Sequence, residues 1–133
     1  MSRKTAREAA FKTIFEIPFH SNEEPIDVIN FSVDYSKSSL KQSSDVEYFK
    51  EVTAKCYDNL EEIDEKIAQN LKEWTIDRIS KVNLSILRLA ICEIMFFEDI
   101  PYQVSINEAV EIAKKFGDDD SPSFINGVLA SAV

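Results

Sequence analysis

Residues 82–97 read VNLSILRLAICEIMFF. Apolar side chains occupy nearly every face of a helix wound through this run. A helix that is hydrophobic all round sits in the middle of a larger helical assembly. Arg88 and Glu93 interrupt the run, so it is not a membrane span. An arginine in such a helix needs an acidic partner, because an uncompensated buried charge is strongly unfavourable. Glu108 or Glu111, three residues apart on the next helix, is expected to supply it.

The flanking segments are also helical. Downstream, Pro101 closes the central region. Ser105-Ile-Asn-Glu108 has the spacing of a capping box, so a helix is expected to start there and run to Phe116. Gly117 is read as a left-handed stop, residues 118–120 as a tight connection, and Ser121-Pro122 as the N-cap and first position of a last helix. Gly127 lies inside that last helix and implies close approach to another backbone. Upstream, Val46, Phe49, Val52, Thr53, Cys56, Tyr57 and Leu60 form one helical stripe opening at Asp45. Ile63, Ile67, Leu71 and Trp74 form a second, with a break near residues 59–62. A one-turn segment is expected at 75–79. A first helix spans 4–16 and is stopped by Pro18, and a short one spans 26–35. Residues 19–25 and the Ser/Lys-rich 36–44 read as connections.

Composition supports an all-α reading. The 133 residues contain only two glycines and four prolines, too few for the turns of an all-β fold. With 44% apolar and 29% charged residues the chain reads as globular, one domain spanning 1–133. The net charge of −9 argues against a broad basic surface for nucleic acid. The charge is uneven, however. Arg3, Lys4, Arg7 and Lys12 stand against Glu8 at the start, while residues 16–73 hold most of the acids. The charged N-terminus has no apolar signal region, and Cys56 and Cys92 fall on apolar faces without metal-ligand spacing, so a reducing cytoplasm is expected.

Catalytic chemistry finds little support. His20, in a polar loop, is the only histidine, so no serine or cysteine triad can be assembled. The two glycines are too far apart for a phosphate loop, and Asp118, Asp119 and Asp120 lack the spaced ligands of a calcium loop. No cofactor, metal or catalytic residue is expected.

Three motifs then carry a resemblance. They are ILRLAICE (86–93), IPYQVSINEAVEIAKKFG (100–117) and FINGVL (124–129), together with the N-terminal RKTAREAA (3–10). The chain resembles the NusB family of bacterial transcription antitermination factors along essentially its whole length. The resemblance implies about seven helices in two packed three-helix bundles. It also implies binding of the boxA element of ribosomal RNA leaders as a heterodimer with the ribosomal protein NusE, within a transcription elongation complex with RNA polymerase, in the cytoplasm and without membrane association. Members of the family occur as monomers and as homodimers.

Position by position, the family's basic start falls on Arg3, Lys4 and Arg7, with Thr5 where an arginine is frequent. Phe15, Lys115, Phe116, Asp120 and Phe124 fall on or beside the RNA surface, and Asn83 near the NusE contact, where some members carry an acid. The physical reading agrees. Arg3, Lys4, Arg7, Lys12, Lys114 and Lys115 can neutralise phosphates, Phe15, Phe116 or Phe124 can stack on splayed bases, and Asp120 can accept a base amine. By spacing alone, Phe11, Phe15 and Phe124 read equally as core and the cations as a solvated face. The competing function is a helical protein–protein adaptor with weak or lost RNA binding. A methyltransferase of the kind to which NusB-like domains are fused would need a further nucleotide-binding domain.

Overall fold

The computed structural model describes residues 2–19, 24–36 and 43–133. His20 and most of the expected 36–44 connection lie outside them. Seven α-helices follow in order: α1 Ser2–Glu16, α2 Pro25–Ser36, α3 Ser43–Asp58, α4 Leu60–Gln69, α5 Lys81–Phe96, α6 Tyr102–Phe116 and α7 Ser121–Ala132. Single 3-10 turns cover Ile17–Phe19 and Ile76–Arg78. Among the described residues there is no strand. No helix among the described residues is long and apolar enough to cross a membrane.

Helices α1, α2 and α3 pack on one another, and α5, α6 and α7 do the same. Helix α5 joins the two bundles by packing against α1 and α3 as well, while α4 rests on α5 and α7. The all-round apolar pattern of residues 82–97 is thereby explained: Ile86, Leu87, Leu89, Ala90, Ile91 and Cys92 are all buried, facing different neighbours. Fully burying a side chain such as Phe49, Ile63 or Leu129 contributes about 1.5–3 kcal/mol.

Several local expectations need correction, each for a physical reason. The second stripe does not continue through Leu71 and Trp74. Helix α4 ends at Gln69 because Asn70 turns its side-chain amide back onto the Lys66 carbonyl at 2.8 Å, and Ser131 Oγ donates to Asn70 Oδ1 at 2.9 Å. Trp74 is left 52% exposed. The capping box at Ser105 does not form either. Pro101 already sets the start of α6, and the amides of Val104 and Ser105 both bond to its carbonyl. Ser105 therefore lies inside the helix, with its hydroxyl free for another use.

Gly117 is not left-handed: its φ is −89°. A glycine is needed there for space, because a Cβ would meet Ser121 Cβ at 2.5 Å and the Ala113 carbonyl at 2.8 Å. Ser121 is the first residue of α7 rather than its N-cap, a place held by Asp120. The turn is instead closed by Asp118, whose Oδ1 accepts from Ser121 Oγ and whose amide donates to the same oxygen, both at 3.1 Å. Gly127 approaches no neighbour: among the described residues, no atom beyond its own stretch of helix lies within 4 Å of where its Cβ would be.

Candidate nucleic-acid interface

Helix α1 carries the basic start of the chain, and the fold divides its cations into two groups. Arg7 points inward and is only 6% exposed. Its Nε and Nη2 bond to Glu93 Oε2 and Oε1 at 2.9 and 3.2 Å. Glu93 also accepts the Tyr48 hydroxyl, and Ser105 Oγ donates to its Oε1 at 2.8 Å. One carboxylate thus ties α1, α3 and α6 to α5. Burial alone would lower the Arg7 pKa, but the hydrogen bond and charge of Glu93 reverse this and leave it raised. Burial, helped by the same carboxylate's charge, pushes the Tyr48 hydroxyl well above its usual range. The expectation that Arg7 meets phosphate is therefore corrected: its guanidinium is spent inside the core.

Arg3 is partly engaged too. Its Nε lies 3.3 Å from Asp45 Oδ1, and its guanidinium sits 4.4 Å above the Tyr48 ring. The central arginine of α5 also has a different partner from the one expected. Arg88 Nε and Nη2 reach Asp64 of α4 at 2.9 and 2.8 Å, not Glu108 or Glu111. Residues 63 and 67 face the core, and residue 64 on the same turn comes alongside α5.

The other group of cations faces solvent. Lys4, Lys12, Lys114 and Lys115 are all exposed. Lys12 and Lys115 place their Nζ atoms 5.3 and 5.4 Å from the centre of the Phe116 ring, which itself packs 5.3 Å from Phe11. Phe15 and Phe19 are 5.4 Å apart. Phe11, Lys12, Phe15, Glu16, Val82 and Phe116 line an open groove of about 400 Å³. A second groove of about 400 Å³ lies between α1 and α6 and is lined by Lys4, Glu8, Glu108, Glu111, Lys114 and Lys115. In it Lys115 Nζ is bound by both oxygens of Glu8, at 2.9 and 3.1 Å, and Lys114 pairs with Glu111 at 3.1 Å.

The structure thus brings Lys12, Phe15, Lys115 and Phe116 to one surface, with Lys4 beside it. Phe124 is half-buried and packs on the core near the start of α7, where Asp120 is exposed with no side-chain cap. Asn83 lies in the first turn of α5. Its backbone amide donates to the N-cap Ser80 Oγ at 3.1 Å, but its Oδ1 is buried without a hydrogen-bond partner among the described residues. Sequence reasoning missed Glu93, Asp45 and Glu8. The signal for Glu93 was present: it is a second charge in the same apolar run as Arg88, and it too required a partner.

Among the described residues an all-helical fold carries cations and aromatics together on one face, an arrangement that suits the class of helical binding factors. Residues 4–133 match the model of the NusB family. The transcription antitermination protein NusB of Natranaerobius thermophilus is 47% identical over 131 residues, covering 97% of this chain and 92% of the relative. The solved structure of T. maritima NusB superposes with a TM-score of 0.89 at 32% identity, over 99% of this chain and 90% of that one. The crystal structure of antitermination factors NusB and NusE in complex with dsRNA gives 0.85 at 28% identity, over 98% of this chain and 95% of that one. The chain belongs to the NusB family of transcription antitermination proteins.

Proposed function

We propose that this chain binds boxA-type single-stranded RNA from ribosomal RNA leaders together with NusE, and so helps the elongating RNA polymerase resist premature termination. It acts as a single-domain binding factor in the cytoplasm and not as an enzyme. The observation that carries this reading is the convergence of Lys12, Lys115, Phe15 and Phe116 on one surface, in a fold shared nearly end to end with a NusB that is seen with NusE and dsRNA. Cations supply phosphate contacts and open aromatic faces supply base stacking. Exposed acids on α3 and α4, among them Glu47, Glu51, Glu61, Glu62 and Glu65, suit a basic partner such as a ribosomal protein.

The test is fluorescence anisotropy with a labelled boxA-type RNA, with and without NusE, across a salt series. Tight, salt-sensitive binding that needs NusE is the expected result. One observation favours the adaptor as second reading: Arg3 and Arg7 are both held by protein acids. NusE binding with no RNA binding in any condition would select it.

A further inference from the structure

We infer that Glu8 is a specificity-determining residue of the RNA surface, a carboxylate screen that rejects strands offering phosphate alone. The inference rests on the RNA-binding reading above. Glu8 lies on α1 and grips Lys115 at the end of α6 with both of its oxygens, at 2.9 and 3.1 Å. The two partners differ in burial: the Glu8 side chain is 20% exposed and that of Lys115 60%. The acid is therefore the more enclosed of the two, and the lysine the more accessible to a strand. A strand that presents only a phosphate must take Lys115 away from a carboxylate that is always adjacent, and it leaves that carboxylate facing its own negative charge.

A strand that also presents a base amino group meets both needs at once. The phosphate takes Lys115, and the amine donates to the vacated Glu8. The groove around the pair is balanced in the same way, with Lys4, Lys114 and Lys115 against Glu8, Glu108 and Glu111. Lys114 is held by Glu111 in a looser version of the same contact, 46% exposed on the acid side. A surface that served phosphate affinity alone would gain nothing from these acids. Glu8 makes phosphate contact conditional on base chemistry.

The experiment compares Glu8→Gln with the parent, each with NusE, against a boxA-type RNA and against oligo(U) of equal length, whose bases carry no exocyclic amine. Glu8→Gln is expected to raise oligo(U) affinity about threefold to tenfold and to steepen its salt dependence by about 0.7 in the log–log slope, one further phosphate contact. Affinity for the boxA-type RNA changes by about twofold or less, because the amine contact, weakened from a carboxylate to a neutral amide oxygen, offsets the freed lysine. In the double variant Glu8→Gln/Lys115→Gln the oligo(U) gain disappears. Unchanged oligo(U) binding overturns the inference, as do an equal gain for both RNAs and a gain that survives in the double variant. If the parent binds neither RNA, the proposed function fails and the inference falls with it; a parent that binds the boxA-type RNA while Glu8→Gln shows no gain on oligo(U) leaves that function standing and overturns the inference alone.

Discussion

Arg7 and Glu93 are 86 positions apart in sequence and meet in the core through two hydrogen bonds, at 2.9 and 3.2 Å. Their side chains are 8% and 1% exposed. Together with Tyr48 and Ser105 they lock the first helix, which carries the exposed Lys4 and Lys12, against the central helix. The orientation of the basic face is thus set from inside the protein, by the member of the basic start that does not reach solvent.

Removing one partner of this pair leaves a buried charge uncompensated. Arg7→Ala is expected to destabilise the protein by about 3–5 kcal/mol, and Glu93→Ala by a similar amount. Arg7→Met/Glu93→Leu should lose clearly less than the sum of the two single changes. Urea denaturation at neutral pH measures all of them. A loss below about 1 kcal/mol for Arg7→Ala would show that the pair is not a structural anchor. One consequence is practical: a charge reversal at Arg7 reports on folding before it reports on RNA.

The second pair, Arg88 and Asp64, is half-buried, with side chains 13% and 28% exposed. Asp64→Ala should lower stability by about 1–3 kcal/mol, since it leaves the guanidinium under-satisfied. Glu108→Gln and Glu111→Gln should stay within about 0.5 kcal/mol of the parent, as neither touches Arg88. Thermal unfolding of the three variants decides between Asp64 and the two glutamates as the partner.

The sequence displays helices more readily than the contacts between them. The periodicity of residues 82–97 marks α5 as central because burial on every side leaves a plain pattern in the chain. The partners of Arg88 and Arg7 do not show, since several acids lie at suitable spacing and only packing selects among them. The end of a helix was legible where a proline fixes φ, as at Pro18, whereas Pro101 reads as closing the α5 region and not as the start of α6. Helix ends were misread where a side chain closes the helix from outside, as Asn70 does with help from Ser131. For the proposed RNA face the motifs pointed, through family likeness, to α1 and the end of α6, and exposure divides the residues they named: Lys12 and Lys115 remain outside, and Arg7 does not.

The two glycines should respond in opposite ways to the same change. Gly117→Ala forces a Cβ within 2.5 Å of Ser121 and 2.8 Å of the Ala113 carbonyl, so it should destabilise by about 1–3 kcal/mol. Gly127→Ala meets nothing and sits in a helix, where it should stabilise by about 0.5–1 kcal/mol. Melting temperatures of the pair check both signs. A destabilised Gly127→Ala would mean that the exposed face of α7 is not free.

Stability should fall on the alkaline side. Burial pushes the Cys56 thiol and the Tyr57 hydroxyl up to about 12, and raises Cys92 as well. In the unfolded chain thiols release their protons near pH 8.5 and tyrosines near 10. Above about pH 8.5 the unfolded state therefore binds fewer protons than the folded one, and the stability present below that pH is lost progressively as pH rises toward 12. Each thiol contributes up to about 1.4 kcal/mol per pH unit in this window. Urea midpoints from pH 7 to 10.5 should decline, and Cys56→Ala should show a shallower decline. A flat profile would place these groups in contact with water.

Charge and stacking on the proposed RNA face can be separated by two substitutions. Lys12 is exposed and lies 5.3 Å from the Phe116 ring centre. Lys12→Gln should weaken binding of a boxA-type RNA in the presence of NusE and make the log–log salt slope shallower by about 0.7, one phosphate contact on a single strand. Phe116→Leu keeps an apolar side chain against Phe11 but removes the stacking face. It should reduce affinity by about 1–3 kcal/mol while leaving the slope as it was. Lys50→Gln, an exposed cation on α3, serves as the control and should change neither quantity. The two effects come from different physics, so a slope change in Phe116→Leu, or none in Lys12→Gln, would show that the RNA runs across a different part of the surface.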